Sequence, residues 1–270
     1  MDGGALFPAD SVSRRLDREL FVILGGSAAL LMQISHPLVA AGVAEHSNFA
    51  RDPIGRLRRT LDTTLAVVFG DPAAAERAAS RIDRRHGPIA GTAADGRAYA
   101  ARDPALLLWV HSTLILTSLR VYELVRGPLP PALREAYWQE TKPLAMRLGI
   151  PRAHLPETLA DLEAYERAAL MSEVHPDATS VRVGRRVLRP FPRLPEPIHW
   201  PFDALTSGLL PPSLREPFGL RFRRRDRLLF RAVVSLVRLT RRLVPDSIAA
   251  VPQARRHERA KATAGGPGAR

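Results

Sequence analysis

Residues 71–88 read DPAAAERAASRIDRRHGP. Asp71 can cap a helix, Pro72 suits the first helical position because an N–H there has no partner anyway, and Gly87-Pro88 is a hard stop. The alanine-rich interior favours helix throughout. The same punctuation recurs on both sides. Asp52-Pro53 opens and Gly70 closes a helix expected over 53–69. Asp103-Pro104 opens another, through Leu106, Trp109, Val110, Thr113 and Leu114 to about Val125, before Gly127-Pro128. Two more are expected over 131–148 and 156–172. Strand signals are few and no repeat period appears, so the chain reads as a single all-α domain.

Leu20–Met32 (LFVILGGSAALLM) is the most apolar run, but it is shorter than the ~18 residues a membrane span needs. Gln33, His36 and Pro37 close it with polar chemistry, and Asp17 and Glu19 interrupt the basic flank that a signal peptide would show. It reads as a buried helix in a cytoplasmic protein. From Val181 to Pro217 eight prolines predict an irregular, extended stretch that wraps the bundle. The expected division is an N-terminal extension over 1–19, a helical domain over 20–250, and a disordered basic tail over 251–270.

Of 270 residues, 40 are Lys or Arg and 27 are Asp or Glu, a formal charge of +13. The excess is not spread evenly. Residues 181–270 hold 20 of the cations and 6 of the anions, so the first 180 are close to neutral. Only Lys142 and Lys261 are lysines. Within the basic third, Arg224, Arg227, Arg231, Arg238 and Arg242 follow helical spacing, with Leu229, Val233, Leu236, Val237 and Val244 on another face. A helix over 222–244 of this kind can dock on the core, on a partner or, peripherally, on an anionic membrane surface. Aromatic residues are scarce and do not interleave with basic ones, so nucleic acid is not expected as a partner. Cysteine is absent, which excludes disulfides, Cys-ligated zinc, Fe–S clusters and thiolate-ligated haem.

Two features of the neutral body could carry chemistry. On the 53–69 helix, Arg56, Arg59, Thr60, Thr63 and Val67 share one stripe. It is either a solvated face or, turned inward, a set of cationic and hydroxyl donors for an anion such as a propionate or reduced oxygen. On the next helix Ala75, Ala79 and Ile82 lead to His86, leaving room for something flat and apolar. A surface histidine stabilised by the helix C-terminus is the simpler reading of His86 alone. His36, before a proline, and His111, mid-helix, read as hydrogen-bonded core histidines. Gln33, Glu45 and His46 show no recognised metal-ligand spacing. The G-x-S-x-G, Walker A and G-x-G-x-x-G motifs are missing.

The blocks GGSAALLMQISHPLVAAGVAEHSNFARDPIGRLRRT (25–60), VVFG (67–70) and RIDRRHGPIAGTAADGRAYAARDPALLLWVHSTL (81–114) closely resemble the MpaB-type oxygenase family, to which rubber oxygenase (latex clearing protein) belongs. The similarity continues through YWQETKPLAMRLGIP (137–151) and LPETLADLEAYE (155–166), covering roughly residues 20–170. The resemblance implies a globin-like, all-helical haem-b protein. Its proximal iron ligand stands in an H-x-x-[VI]-x-G context, which His86 matches in HGPIAG. Its distal Arg-x-x-Lys-Thr pattern aligns with Arg56, Arg59 and Thr60. Arg59 departs from the rubber enzymes' lysine, and an always-charged guanidinium cannot ligate iron. Glu45 is the nearest carboxylate to the family's assisting acid, at a spacing that does not match. The implied activity is an oxidoreductase acting with dioxygen on a lipophilic, alkene-containing small molecule, by oxidative cleavage or oxygen insertion. Rival readings are a haem sensor or carrier without turnover, and a basic-helix interaction protein without cofactor.

Overall fold

The computed structural model describes residues 6–47 and 62–264. It is all-helical apart from one short hairpin. The helices are α1 (Val12–Asp17), α2 (Gly26–Ile34), α3 (Pro37–His46), α4 (helical over 62–69), α5 (Pro72–His86), α6 (Pro104–Arg126) and α7 (Pro131–Arg147). They continue as α8 (Leu159–Ser172), α9 (Ala178–Leu188), α10 (Glu196–Leu209), α11 (Pro212–Arg215), α12 (Arg224–Leu243), α13 (Asp246–Ala249) and α14 (Pro252–Ala264). A 3-10 turn, Leu20–Gly25, leads into α2. Strands β1 (Ala90–Thr92) and β2 (Ala98–Ala100) pair antiparallel, with Gly91 opposite Tyr99.

The Asp-Pro starts behave as their chemistry dictates. Asp71 Oδ1 accepts from Ala74 N at 2.6 Å, and Asp103 Oδ1 accepts from Ala105 N at 2.8 Å. Thr158 and Asp161 cap α8 reciprocally. Between α2 and α3, Pro37 forces His36 into an extended conformation, and the two segments meet at 107°.

The core is built on α6, whose Leu107, Leu108, Ile115, Leu116, Leu119 and Val121 are buried with side chains from α1, α2, α7, α8, α9 and α10. By length and composition α6 could cross a membrane, but 72 % of its apolar window is buried inside the protein, as in the core helix of a globular domain. A second cluster joins Leu65, Val67, Val68 and Phe69 of α4 to Ala78 of α5, Leu144 of α7 and Ala250, Val251 and Ala254. A third gathers Ala41, Ala93, Tyr99 and Leu106 around the hairpin.

Two expectations are corrected. Residues 181–217 are not an extended wrap: α9, α10 and α11 occupy most of the stretch. Pro195 and Pro211 are N-cap residues, and Pro197 and Pro212 lie in first turns, where proline is compatible with helix; Pro201 alone sits inside α10. The chain from 251 is not a disordered tail as far as it is described. It forms α14, Val251 N donates to Arg18 O at 2.7 Å, and Gln253 Nε2 donates to Asp62 Oδ1 at 2.8 Å. Within the N-terminal extension, residues 12–17 form α1, whose Leu16 is fully buried in the main core.

Close helix approach fixes α9 and α10. A Cβ on Gly184 would collide with the Phe218 ring, and one on Gly208 with the Phe230 ring. α12 packs through Val233, Val234 and Val237, with Phe230 beside them.

Candidate functional site

His86 is the last residue of α5, and its ring is half-buried. α5 itself is firmly set. Ala75, Ala78 and Ala79 are buried along its inner face, and Arg147 of α7 pairs with Glu76, Nε to Oε2 at 2.8 Å. Gly87-Pro88 ends the helix, and the chain turns at once into the hairpin. The hairpin is tied back to the helix it leaves: Arg102 holds Asp83 bidentately, Nε to Oδ1 at 2.9 Å and Nη2 to Oδ2 at 2.8 Å, one turn before His86. Ala101 N also donates to Ile89 O at 2.8 Å.

Burial pulls the His86 pKa down. The Asp83 carboxylate opposes that shift and the Arg102 guanidinium reinforces it. The imidazole is therefore held neutral at pH 7, against the cationic histidine that a helix C-terminus alone would favour. No hydrogen bond to its ring is found among the described residues. A neutral imidazole whose ring has no hydrogen-bond partner among the described residues has the donor chemistry that haem iron takes from a histidine. No three His, Asp or Glu side chains among the described residues converge as a metal-ion site, whereas a haem needs one such donor. The residue present fits that group.

The hairpin carries a polar cluster that spacing did not reveal. Tyr99 Oη donates to Glu45 Oε2 at 2.5 Å, and His46 Nε2 is hydrogen-bonded to the Ala90 carbonyl oxygen at 3.2 Å. The His46 and Tyr99 rings meet edge to face, 6.3 Å apart. A Cβ on Gly91 would lie 2.7 Å from the Tyr99 hydroxyl, so glycine there is what admits the phenol. Burial foremost, and then the bond to Glu45, push the Tyr99 pKa up to about 12, which keeps its proton on the phenol. The hairpin thus brings Glu45, the carboxylate whose spacing was unconvincing, to the chain segment that follows His86. Glu45 and Tyr99 stand 54 positions apart, and only a prediction of strand pairing in AGTAADGRAYA could have joined them.

Arg56, Arg59 and Thr60 lie outside the described residues. Of the stripe they share, Val67 is buried in the same cluster as Ala78 of α5, and Thr63 is half-buried. α4 and α5, the His86 helix, are therefore packed neighbours. α14 closes over them from the C-terminal side, with Ala254 buried in that cluster.

The other histidines divide. His36 is a core histidine whose Nδ1 accepts from Leu38 N at 3.3 Å, with Glu173 at 3.8 Å on its other side. His111 is buried but not hydrogen-bonded as expected: its Nε2 has no partner among the described residues, and its ring stands 6.0 Å from that of Trp138. Asp177 caps α9, its Oδ1 accepting from Ser180 N at 2.6 Å.

The sequence model of the family described as "ER-bound oxygenase mpaB/B'/Rubber oxygenase, catalytic domain" matches residues 13–239. Two relatives, uncharacterized proteins of Mycobacterium bovis and Mycobacterium tuberculosis, are each 28 % identical to this chain over 227 residues, covering 81 % of it and 88 % of the relative. No solved structure matches.

Proposed function

The chain belongs to the MpaB/rubber oxygenase catalytic-domain family, and from that premise we propose that it is a haem-b-dependent oxygenase acting with dioxygen on an apolar, alkene-containing small molecule, of which an isoprenoid is one kind. The observation that carries the cofactor reading is His86: half-buried, held neutral, and fixed in place by the Arg102–Asp83 clamp.

When bound, the haem would supply the activation of dioxygen. His86 would hold it through a neutral ring nitrogen at the C-terminal end of α5, a helix anchored by the buried Ala75, Ala78 and Ala79. Arg56, Arg59 and Thr60 take their distal role from the family pattern and would present cationic and hydroxyl donors where negative charge develops. Because Arg59 stays charged at any working pH, it can donate but cannot compete for iron, so no lysine-type closure of the site is available. Tyr99, whose proton stays on the phenol, orients Glu45 beside the hairpin.

The test is oxygen uptake by haem-loaded protein with lipophilic alkenes. Oxygen consumption matched by loss of alkene supports the reading. A coloured protein that consumes no oxygen with any alkene is a sensor or carrier, and a protein that stays colourless when haem is supplied binds no cofactor of this kind.

A further inference from the structure

The arginine face of α12 carries a second feature at its side. Leu228, Leu236, Leu239 and Leu243 are between 54 and 73 % exposed, and with Ala232 they form one stripe at helical spacing. Leu236, which helical spacing groups with Leu229, Val233, Val237 and Val244, is exposed, whereas those four are half-buried. Leucines spaced over fifteen positions make an apolar strip about 22 Å long. Arg224, Arg227, Arg231 and Arg242 are exposed along its edge. At its N-terminal end Arg225 stacks on the ring of Trp200 of α10, itself exposed, with the guanidinium carbon 3.6 Å from the ring centroid. α12 holds seven arginines and a single acidic residue, Asp226, which is spent on the cap, accepting from Arg223 N at 2.8 Å.

A soluble surface rarely leaves four leucines and a tryptophan in one strip, so the strip calls for a cover. Charge decides what covers it. A second copy docked face to face would set Arg224, Arg225, Arg227, Arg231 and Arg242, all exposed, against the same residues of the other copy. A nucleic acid would use the arginines and leave the leucines in water. An anionic bilayer uses both, since leucines enter the acyl boundary while arginines meet lipid phosphates, and tryptophan favours the interface between them. We infer that the outer face of α12, with Trp200, is a docking surface for an anionic lipid bilayer, along which the helix lies in the plane of the membrane. α12 is held to the body through Arg241–Glu19 and through Arg238 Nε, which donates to Leu124 O at 2.7 Å. Docking therefore presents the whole domain to the membrane as one unit. The inference stands whether or not the cofactor reading does.

Flotation of the full chain with vesicles tests it. Phosphatidylcholine vesicles in which about one third of the lipid is phosphatidylglycerol should carry the protein, and pure phosphatidylcholine should carry at least about tenfold less. The variant Leu236→Ser/Leu239→Ser/Leu243→Ser alters side chains already in solvent. Its circular dichroism should match wild type while its vesicle binding falls by about tenfold or more. Arg224→Gln/Arg231→Gln/Arg242→Gln should weaken binding and its salt dependence. The inference is overturned if the leucine variant floats like wild type, if both vesicle types carry the protein equally, or if a DNA duplex displaces wild type and leucine variant alike. It is also overturned if wild type fails to float and sediments as a dimer that the leucine variant dissolves.

Discussion

Arg241 grips the buried carboxylate of Glu19 across 222 positions of chain, Nε to Oε2 at 2.6 Å and Nη2 to Oε1 at 2.9 Å. Arg126 adds a third bond to the same carboxylate at 2.7 Å. Burial alone would raise the Glu19 pKa, but the two guanidinium groups outweigh it and the net shift is downward. The stability this provides is fully present above the ordinary carboxylate value of 4.5 and is lost as pH falls through the lowered one. Glu19→Gln, which leaves two arginines facing a neutral amide, should cost about 3 kcal/mol in urea unfolding at pH 7. An unchanged midpoint would show that solvent already screens the cluster.

His111 sets a second acid dependence. Burial lowers its pKa from 6.5 to about 4, and no group opposes the shift. As pH drops from 6.5 toward 4 the unfolded chain takes up a proton that the folded chain refuses, so stability falls across that window. His111→Leu should flatten this slope, with wild type and variant diverging most near pH 4. Parallel pH profiles would mean that the ring is hydrated in solution.

Gly184 lets α9 approach the Phe218 ring, with Leu31 close behind. Gly184→Ala gains helix propensity yet must displace an aromatic ring in the main core, so a net loss of about 1–3 kcal/mol is expected from thermal or denaturant unfolding. A stabilised variant would show that Phe218 gives way easily.

Arg59→Leu separates cofactor binding from turnover. Haem retention should match wild type, because the proposed iron ligand is His86 and not Arg59, while alkene-dependent oxygen uptake should fall by about 10²-fold. Loss of haem together with turnover would make Arg59 a cofactor anchor instead.

The fold was legible where a single residue type dictates backbone geometry. Asp71-Pro72 and Asp103-Pro104 start helices because cap and proline both satisfy or remove N–H groups that have no other partner. The same residue misled between 181 and 217, since Pro195, Pro197, Pro211 and Pro212 read as breakers until their places in N-caps and first turns are seen. α14 was hidden because its arginine-rich sequence has little apolar face; Ala254 and the backbone bond from Val251 to Arg18 dock its start. The hairpin was hidden because Ala90, Gly91 and Ala98 carry no strand preference of their own. For the candidate site, spacing marks His86 as one of two features that could carry chemistry, and the family pattern favours it over a surface histidine. Its neutrality was not legible, because that depends on burial and on Arg102, sixteen residues further on and brought back by the hairpin. Arg56, Arg59 and Thr60 rest on their shared helical spacing and on the family pattern.

The most direct test is a haem titration of purified protein followed in the visible region, wild type against His86→Ala. The account predicts that wild type takes up one haem per chain with a sharp Soret band. The variant, unchanged in helical content, should leave haem in the spectrum of the free cofactor. A His86→Ala protein that binds haem with the spectrum and affinity of wild type would contradict the assignment of His86 and, with it, the cofactor site described above.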